Sequence, residues 1–357
     1  MTGQRVPIRA ILFDWGGTLM REMPGLDGPM ADWPRVDAVP GAAEVLRALH
    51  GSYAIVVATN AALSDEALVR KALARVGLDP YVSAAVTARD LGVSKPDPAF
   101  FHAALERVGC RASEAVMVGD GYSTDIVGAK AAGWRAVWFN PGRAGCPLVH
   151  PVHDAEIQTL AQLPGVLARP FLPDITAALQ ILHEHEVPEN ITRHSLAVAA
   201  VAYWIALQMW ERGVKVDPLL VHRGGLLHDL DKLSSEKPTD HGAKAGQLLR
   251  ALGWPALAAI AESHVLGARP ATWEEKVVHY ADKIVEEDQI VGLVNRVTAL
   301  SCRYVSTGSQ IAKALPQLLA LEEEIANNLG VARESFLATL RALDVRRPAF
   351  VGDPASA

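Results

Sequence analysis

The hydrophobic pattern of this 357-residue chain changes period partway along, which rules out one uniform architecture. From Ile8 to Asn140, short β-rich apolar runs at Ile8–Phe13, Tyr53–Ala58, Ala84–Thr87, Ala115–Val118 and Ala136–Phe139 alternate with amphipathic stretches. Those stretches, Ala42–His50, Asp65–Val76, Pro98–Val108 and Thr124–Ala132, are each followed closely by glycine or a turn residue. Strands alternating with helices predict a doubly wound α/β unit with a largely parallel sheet. Asn140–Pro151 is rich in Pro and Gly, and Pro164, Pro170 and Pro173 follow, so loops and a linker are expected with the boundary near Arg169, giving units 1–169 and 170–357. Beyond it strand signals nearly vanish. Helical patterns follow one another through Ile175–His185, Arg193–Arg212, Pro218–Leu230, His241–Leu252, Pro255–Ser263, Trp273–Asp288 and a final pair, so the second unit should be all-α. The length suits two cores of ordinary size.

In the first unit the chemistry-bearing residues fall where strands end. Phe13-Asp14-Trp15-Gly16-Gly17-Thr18-Leu19 leaves an apolar strand and enters a glycine turn, placing the Asp14 carboxylate at the C-terminal end of a central strand, where open α/β sheets bind ligands. Ala58-Thr59-Asn60 ends the next strand, Ser94-Lys95-Pro96 lies in a later loop, and Val118-Gly119-Asp120-Gly121-Tyr122-Ser123-Thr124-Asp125 ends a further strand. In this order and spacing the segments resemble the four motifs of haloacid-dehalogenase-like phosphatases. The resemblance implies a minimal-cap fold in which Asp14 attacks phosphorus, Thr59 and Lys95 clamp the phosphoryl oxygens, and Asp14, Asp120, Asp125 and the Gly16 carbonyl hold Mg2+. A phosphate dianion approaching a carboxylate needs such a cation and fixed donors to overcome repulsion. The chain departs from that family at Gly16, where a second aspartate usually serves as general acid and base, a role worth about two to four orders of magnitude in rate.

In the second unit His194 sits in Thr192-Arg193-His194-Ser195, His228 and Asp229 in Gly225-Leu226-Leu227-His228-Asp229-Leu230-Asp231-Lys232, and Asp282 in Tyr280-Ala281-Asp282-Lys283-Ile284. Imidazole and carboxylate donors together suit Fe, Mn, Co, Ni or Zn better than magnesium. The order His, His-Asp, Asp resembles the HD superfamily across most of Ile175–Asp288. The resemblance implies that His194, His228, Asp229 and Asp282 surround one ion, and that Asp229 bridges to a second held by His241 and His264. Lys232, one turn after His228, is the candidate for contacting a substrate phosphate, with Lys283 and Arg193 behind it. His183, His185, His222 and His279 are read as structural or solvated, and Trp204 and Trp210 as core.

Half of the chain is hydrophobic and the formal net charge is −6, without a long basic block, so duplex nucleic acid is not an expected partner whereas a small phosphorylated substrate is. Cys110, Cys146 and Cys302 are too few and too scattered for a disulfide framework, which fits a reducing cytoplasm. No signal-peptide h-region and no bilayer-length apolar run is found, so no membrane partner is expected. The expected function is a phosphohydrolase whose HD unit cleaves a phosphate ester or anhydride, of a nucleotide or dinucleotide, beside a phosphatase or phosphate-binding unit. The same ligand set allows a di-iron oxygenase, and the departure at Gly16 allows a phosphate-ligand sensor with a degenerate first site.

Overall fold

The structure is a computed structural model that describes residues 6–232, 241–303 and 308–345. It divides into two compact units, one formed by the chain up to Cys146 with Val152–Phe171, the other by Pro147–Pro151 with the chain from Leu172 onward. A single cut near Arg169 would therefore separate Pro147–Pro151 from the unit it packs with.

The first unit is built on a six-stranded sheet ordered β3-β2-β1-β4-β5-β6, comprising β1 (Ala10–Phe13), β2 (Ala54–Thr59), β3 (Ala84–Thr87), β4 (Ala115–Gly119), β5 (Arg135–Phe139) and β6 (Ala155–Ile157). Every neighbouring pair is parallel. Around the sheet lie α1 (Ala42–Leu49), α2 (Glu66–Arg75), α3 (Ala88–Leu91), α4 (Pro98–Val108), α5 (Gly128–Ala131) and α6 (Leu163–Leu167). Asp65 and Asp97 cap α2 and α4 by accepting from Leu68 N and Ala99 N, which fixes where those helices begin. β1 lies between β2 and β4, with Phe13 opposite both Val57 and Val118, and all four of its residues are fully buried. Because β2 and β3 extend the sheet one way and β4 to β6 the other, the crevice beyond the ends of β1 and β4 is the switch point where such sheets take ligands.

Two details differ from the sequence reading. β6 arises between the two proline-rich stretches, where no strand was expected, since three residues are too few to show a period. The expected helix Thr124–Ala132 is a π-helical turn, Tyr122–Val127, running into α5.

The second unit contains α7 (Ile175–Glu184), α8 (Glu189–Glu211), α9 (Pro218–Leu227), α10 (Ala243–Ala251), α11 (Pro255–Ser263), α12 (Trp273–Ile284), α13 (Leu293–Arg303), α14 (Gly308–Leu329) and α15 (Arg333–Arg341). Its core joins Val198, Val201 and Ile205 of α8 to Val277, Tyr280 and Ala281 of α12 and to Ile325, Leu329 and Phe336 of the last helices, with Trp204 and Trp210 packed against it. Among the described residues the C-terminal end holds three helices where a pair was expected. Helix α12 also stops at Ile284, and the chain turns through a two-stranded hairpin, β7 (Val285–Glu286) and β8 (Gln289–Ile290), with Glu287 at φ 52°. Helix α9 carries the wholly buried Arg223, whose Nε donates to Pro173 O at 2.8 Å, whose Nη2 donates to Pro151 O at 2.8 Å, and whose Nη1 meets His222 Nδ1 at 2.6 Å. His222 Nε2 in turn lies 2.9 Å from His150 Nδ1.

A Cβ on Gly225 would lie 2.9 Å from Ala199 Cα, a backbone atom of α8 that cannot swing aside. Overpacking of this kind costs about 1–3 kcal/mol, more than the roughly 1 kcal/mol of helix propensity that alanine brings, so Gly225→Ala should lower the urea midpoint at unchanged m value. Separately, burial and then the Arg223 charge hold His150 at about 4, below its ordinary 6.5. The unfolded chain therefore binds the extra proton first, and the stability tied to neutral His150 is complete above about pH 6.5 and lost as pH falls toward 4. Urea midpoints measured between pH 7.5 and 4.5 should fall on acidification, and less steeply in His150→Gln.

Candidate metal centres

The first cluster occupies the switch-point crevice. Asp14 follows β1 and keeps its backbone in register through Asp14 N donating to Val118 O at 2.9 Å, while Asp120 follows β4 directly. Gly17 makes the close turn between them possible, since it takes φ 80° and a Cβ there would run into the Asp120 carboxylate. Asp14, Asp120 and Asp125 each offer an oxygen within 4.8 Å of the others. Lys95, 3% exposed, reaches in from its loop and donates to Asp14 Oδ1 and Asp125 Oδ1, both at 2.6 Å, and to Ala58 O at 2.7 Å. Thr59 is buried at the end of β2, its hydroxyl accepting from Ala61 N at 3.1 Å.

Three carboxylates face one ammonium here, and the imbalance shows in their acidity. Burial, and then the charge of Asp14, push Asp125 up to about 6 against the pull of Lys95, and the same two causes raise Asp120. A hard divalent cation with oxygen ligands would relieve that repulsion, so the donor set fits magnesium. Two supporting residues carried no separate sequence signal. Thr18, fully buried, donates to Asp120 Oδ1 at 3.0 Å. Asn60 accepts from Lys95 N at 2.8 Å and donates to Lys95 O at 2.9 Å, holding the lysine loop from both sides.

The second cluster gathers side chains from five parts of the helical unit. His194 comes from α8, His228 and Asp229 from the end of α9, His241 from just before α10, His264 from the end of α11 and Asp282 from α12. His194 Nδ1 meets Glu287 O at 3.0 Å, His228 Nδ1 meets Gly225 O at 2.7 Å and His264 Nδ1 meets Ala261 O at 2.5 Å. A carbonyl oxygen accepts only, so each of these rings donates from Nδ1 and turns Nε2 inward, the orientation metal-binding imidazoles use. His194 Nε2 lies 3.1 Å from Asp282 Oδ1, and His228 Nε2 lies 3.5 Å from Asp229 Oδ2 and 3.6 Å from Asp282 Oδ1. On the other side, Asp229 Oδ1 faces His241 Nε2 at 2.9 Å and His264 Nε2 at 3.4 Å. Two triads can hold an ion with close-set donors: His194, His228, Asp282, and His228, Asp229, His264. His228 belongs to both. His241 stands beside the second triad rather than within it.

His228 Nε2 and Asp229 Oδ1 are buried and turned into the middle of the cluster, where the donor set of imidazole nitrogens and carboxylate oxygens fits a metal ion. Burial works against ionised Asp229 and Asp282, yet His228 with His241, His264 and Lys232 holds the first, and Lys283 with His194 and His228 holds the second, well below the usual carboxylate range. Burial drives His264 down to about 4, whereas hydrogen bonds to Asp229 and Asp231 carry His241 up to about 9 against its own burial.

Lys232 lies against Asp229 with its side chain 40% exposed. Lys283, considered as a phosphate contact, is buried and donates to His264 O at 2.9 Å and to Asp282. Arg193 is exposed on α8. His279 Nδ1 meets Ser263 O at 3.1 Å, tying α12 to α11. Asp231 is an addition to the residues singled out from sequence: its Oδ1 lies 2.9 Å from His241 Nδ1 and its Oδ2 accepts from Gly242 N at 2.8 Å. Its only signal was the Asp-Leu-Asp spacing after His228.

Comparison with known proteins matches each cluster to a family. The haloacid dehalogenase-like hydrolase family matches residues 26–133, and the HD domain family matches residues 191–297. The first match begins after Asp14, so the assignment of that residue rests on its motif and geometry. The chain is 38% identical over 125 residues to the uncharacterized protein MJ0778 of Methanocaldococcus jannaschii, covering 30% of this chain and 73% of that protein. It is 40% identical over 103 residues to the ribulose-1,5-bisphosphate 5-phosphatase of Halopiger xanaduensis, covering 29% of this chain and 42% of that enzyme. It is 37% identical over 103 residues to the pyrimidine 5'-nucleotidase YjjG of Escherichia coli, covering 29% of this chain and 44% of that enzyme. The chain thus spans less than half the length of these two phosphatases. No helix among the described residues is long and apolar enough to cross a membrane.

Replacing Lys95 by methionine would leave Asp14 and Asp125 facing each other without their shared cation. Breaking a buried pair in this way costs about 3–5 kcal/mol, and Lys95→Met should show a loss of that size in urea unfolding, with added magnesium restoring part of it.

Proposed function

We propose, for a chain that belongs to the haloacid dehalogenase-like hydrolases through its first unit and to the HD family through its second, a phosphohydrolase with two metal-dependent centres. The observation that carries the reading is the buried convergence of His194, His228, His264, Asp229 and Asp282, whose donor atoms lie close-set while the Nδ1 atoms of the three histidines are anchored on backbone carbonyls. His194, His228, Asp229 and Asp282 would hold one transition-metal ion, such as Fe, Mn, Co, Ni or Zn. The Asp229 oxygens, one toward His228 and the other toward His241 and His264, suit a bridge to a second. A divalent ion so held supplies Lewis acidity toward a phosphoryl oxygen and lowers the pKa of an attacking water. The protein's own part is to orient the imidazoles, to keep Asp229 ionised, and to present Lys232 to the phosphate. The substrate class is a small phosphate ester or anhydride, and a nucleotide fits the modest local charge that the chain supplies.

At the first centre Asp14, Asp120, Asp125 and the Gly16 carbonyl would hold Mg2+, with Asp14 as nucleophile and Thr59 and Lys95 as clamp for the phosphoryl oxygens. Lys95 already fixes the carboxylates in place, so its ammonium is positioned before substrate arrives, which is where electrostatic catalysis gains most. That two relatives are named as phosphatases of a sugar bisphosphate and of pyrimidine nucleotides supports small phosphate monoesters as the class for this centre.

Phosphate release should be measured over nucleotides, dinucleotides and sugar phosphates with Mg, Mn, Fe, Co and Ni, comparing wild type with Asp229→Ala and Asp14→Asn. Release with Mn or another transition metal that falls at least about 100-fold in Asp229→Ala, and release with Mg that falls similarly in Asp14→Asn, is the expected result. Release that survives both substitutions, or none from any compound with any metal, would sink the proposal.

A further inference from the structure

Gly16 and Gly17 are glycines for different reasons. Gly17 needs its positive φ, whereas Gly16 takes no such value and could carry a side chain as far as its backbone is concerned. The space beside Gly16 is taken instead. A Cβ built there would lie 2.6 Å from Glu22 Oε1, 3.3 Å from its Cγ and 3.4 Å from its Cδ. The Glu22 carboxylate thus stands where a side chain two residues after Asp14 would begin.

Its placement is a product of the fold. Gly17 N donates to Met20 O at 2.8 Å, Met20 bridges to both Gly16 and Ala38, and Arg21 N donates to Asp37 O at 2.9 Å. These bonds turn the chain back on itself directly after β1, so Glu22 faces the crevice that Asp14 lines. Glu22 is exposed, and its charge is among those that raise Asp120.

The chemistry of this centre calls for one group that the rest of the cluster does not supply. When Asp14 attacks phosphorus, the bond to the departing alcohol breaks and its oxygen leaves with the electron pair, so it must gain a proton. When water then cleaves the acyl phosphate on Asp14, that water must lose one. Asp14 is itself bonded to phosphorus in between. Lys95 is buried and committed to Asp14, Asp125 and Ala58 O, Asp125 is 1% exposed and held by Lys95 and Gly121 N, and Asp120 is held by Thr18. Glu22 is an exposed carboxyl group beside Gly16 that lies outside these bonds.

We propose that Glu22 is the general acid and base of the Asp14 centre, an inference that rests on the phosphatase reading of the first unit. Its carboxyl proton goes to the leaving alcohol oxygen as the P–O bond breaks. The resulting carboxylate takes a proton from the water that attacks phosphorus, the Asp14 carboxylate departs, and Glu22 is restored in its protonated form.

The test uses the full chain carrying Asp229→Ala, so that only the first centre turns over, with Mg2+ and two substrates: p-nitrophenyl phosphate, whose leaving group needs no proton, and glycerol phosphate, whose leaving group does. In Glu22→Gln, kcat/KM for glycerol phosphate should fall about 100-fold or more, kcat/KM for p-nitrophenyl phosphate should change little, and acid-quenched protein should carry a phosphoryl group on Asp14 that mass spectrometry detects. Adding Gly16→Asp to Glu22→Ala should recover glycerol phosphate turnover, because the new carboxyl group enters the same space. Equal kinetics in Glu22→Gln and its parent on both substrates would overturn the role of Glu22 and leave the phosphatase reading standing. An equal loss on both substrates with a raised magnesium requirement and no phosphorylated Asp14 would also overturn it, making Glu22 a cation ligand. A parent protein that neither releases phosphate nor becomes phosphorylated would overturn the phosphatase reading itself and this inference with it.

Discussion

An ionised carboxylate removed from water costs several kcal/mol unless charge, hydrogen bonds or metal offset it, and Asp229, 1% exposed, is the point about which the helical unit is arranged. Four helices and one loop direct imidazoles or ammonium groups toward it or toward Asp282 beside it. His194, His228 and His264 are each held from behind by a main-chain oxygen, so the helix ends at Gly225 and Ala261 and the turn at Glu287 are parts of the centre as much as the side chains are, whereas His241 is backed by the Asp231 carboxylate. The hairpin after α12 has its use here, since the left-handed backbone of Glu287 is what brings a carbonyl to His194. The close approach of α9 to α8 at Gly225 serves the same end by setting where His228 and Asp229 emerge.

The sheet unit meets a related constraint by other means. Parallel strands end together, so residues remote in sequence arrive at one edge without any bond between them, and the register of β1 with β4 sets Asp14 beside Asp120. There the offset to buried negative charge is a single lysine, tied at Nζ to two carboxylates and a carbonyl and at its backbone to Asn60. One cation against three carboxylates leaves the edge negative, which would favour a divalent ion there and raises Asp120 and Asp125.

Much of this could be read from the sequence because each principal residue stands at a place the local pattern marks. Asp14, Thr59 and Asp120 terminate apolar runs, and His228 with Asp229 terminates a helical one, so element type and motif pointed the same way. What could not be read is contact made across space by residues in unpatterned chain. Glu22 lies in a loop without period, the carbonyl of Glu287 has no side-chain identity to betray it, and β6 is too short to alternate. From its motif Lys283 reads as a phosphate contact behind Lys232, and its bonds to Asp282 and the His264 carbonyl can be seen only in the structure.

The Arg223 guanidinium gives the chain one further property. Pro151 and Pro173, whose carbonyls it gathers, stand on either side of the segment that supplies β6 to the sheet, so that segment departs from and returns to a single buried side chain of the helical unit. A fragment beginning at residue 170 would keep Arg223 and His222 but forfeit the carbonyl and the imidazole that Pro151 and His150 bring to them. One beginning early enough to retain those two would carry off an edge strand of the sheet. Two catalytic frameworks that resemble separate families have in this way become interlaced along the polypeptide, and no one peptide bond divides them into complete halves.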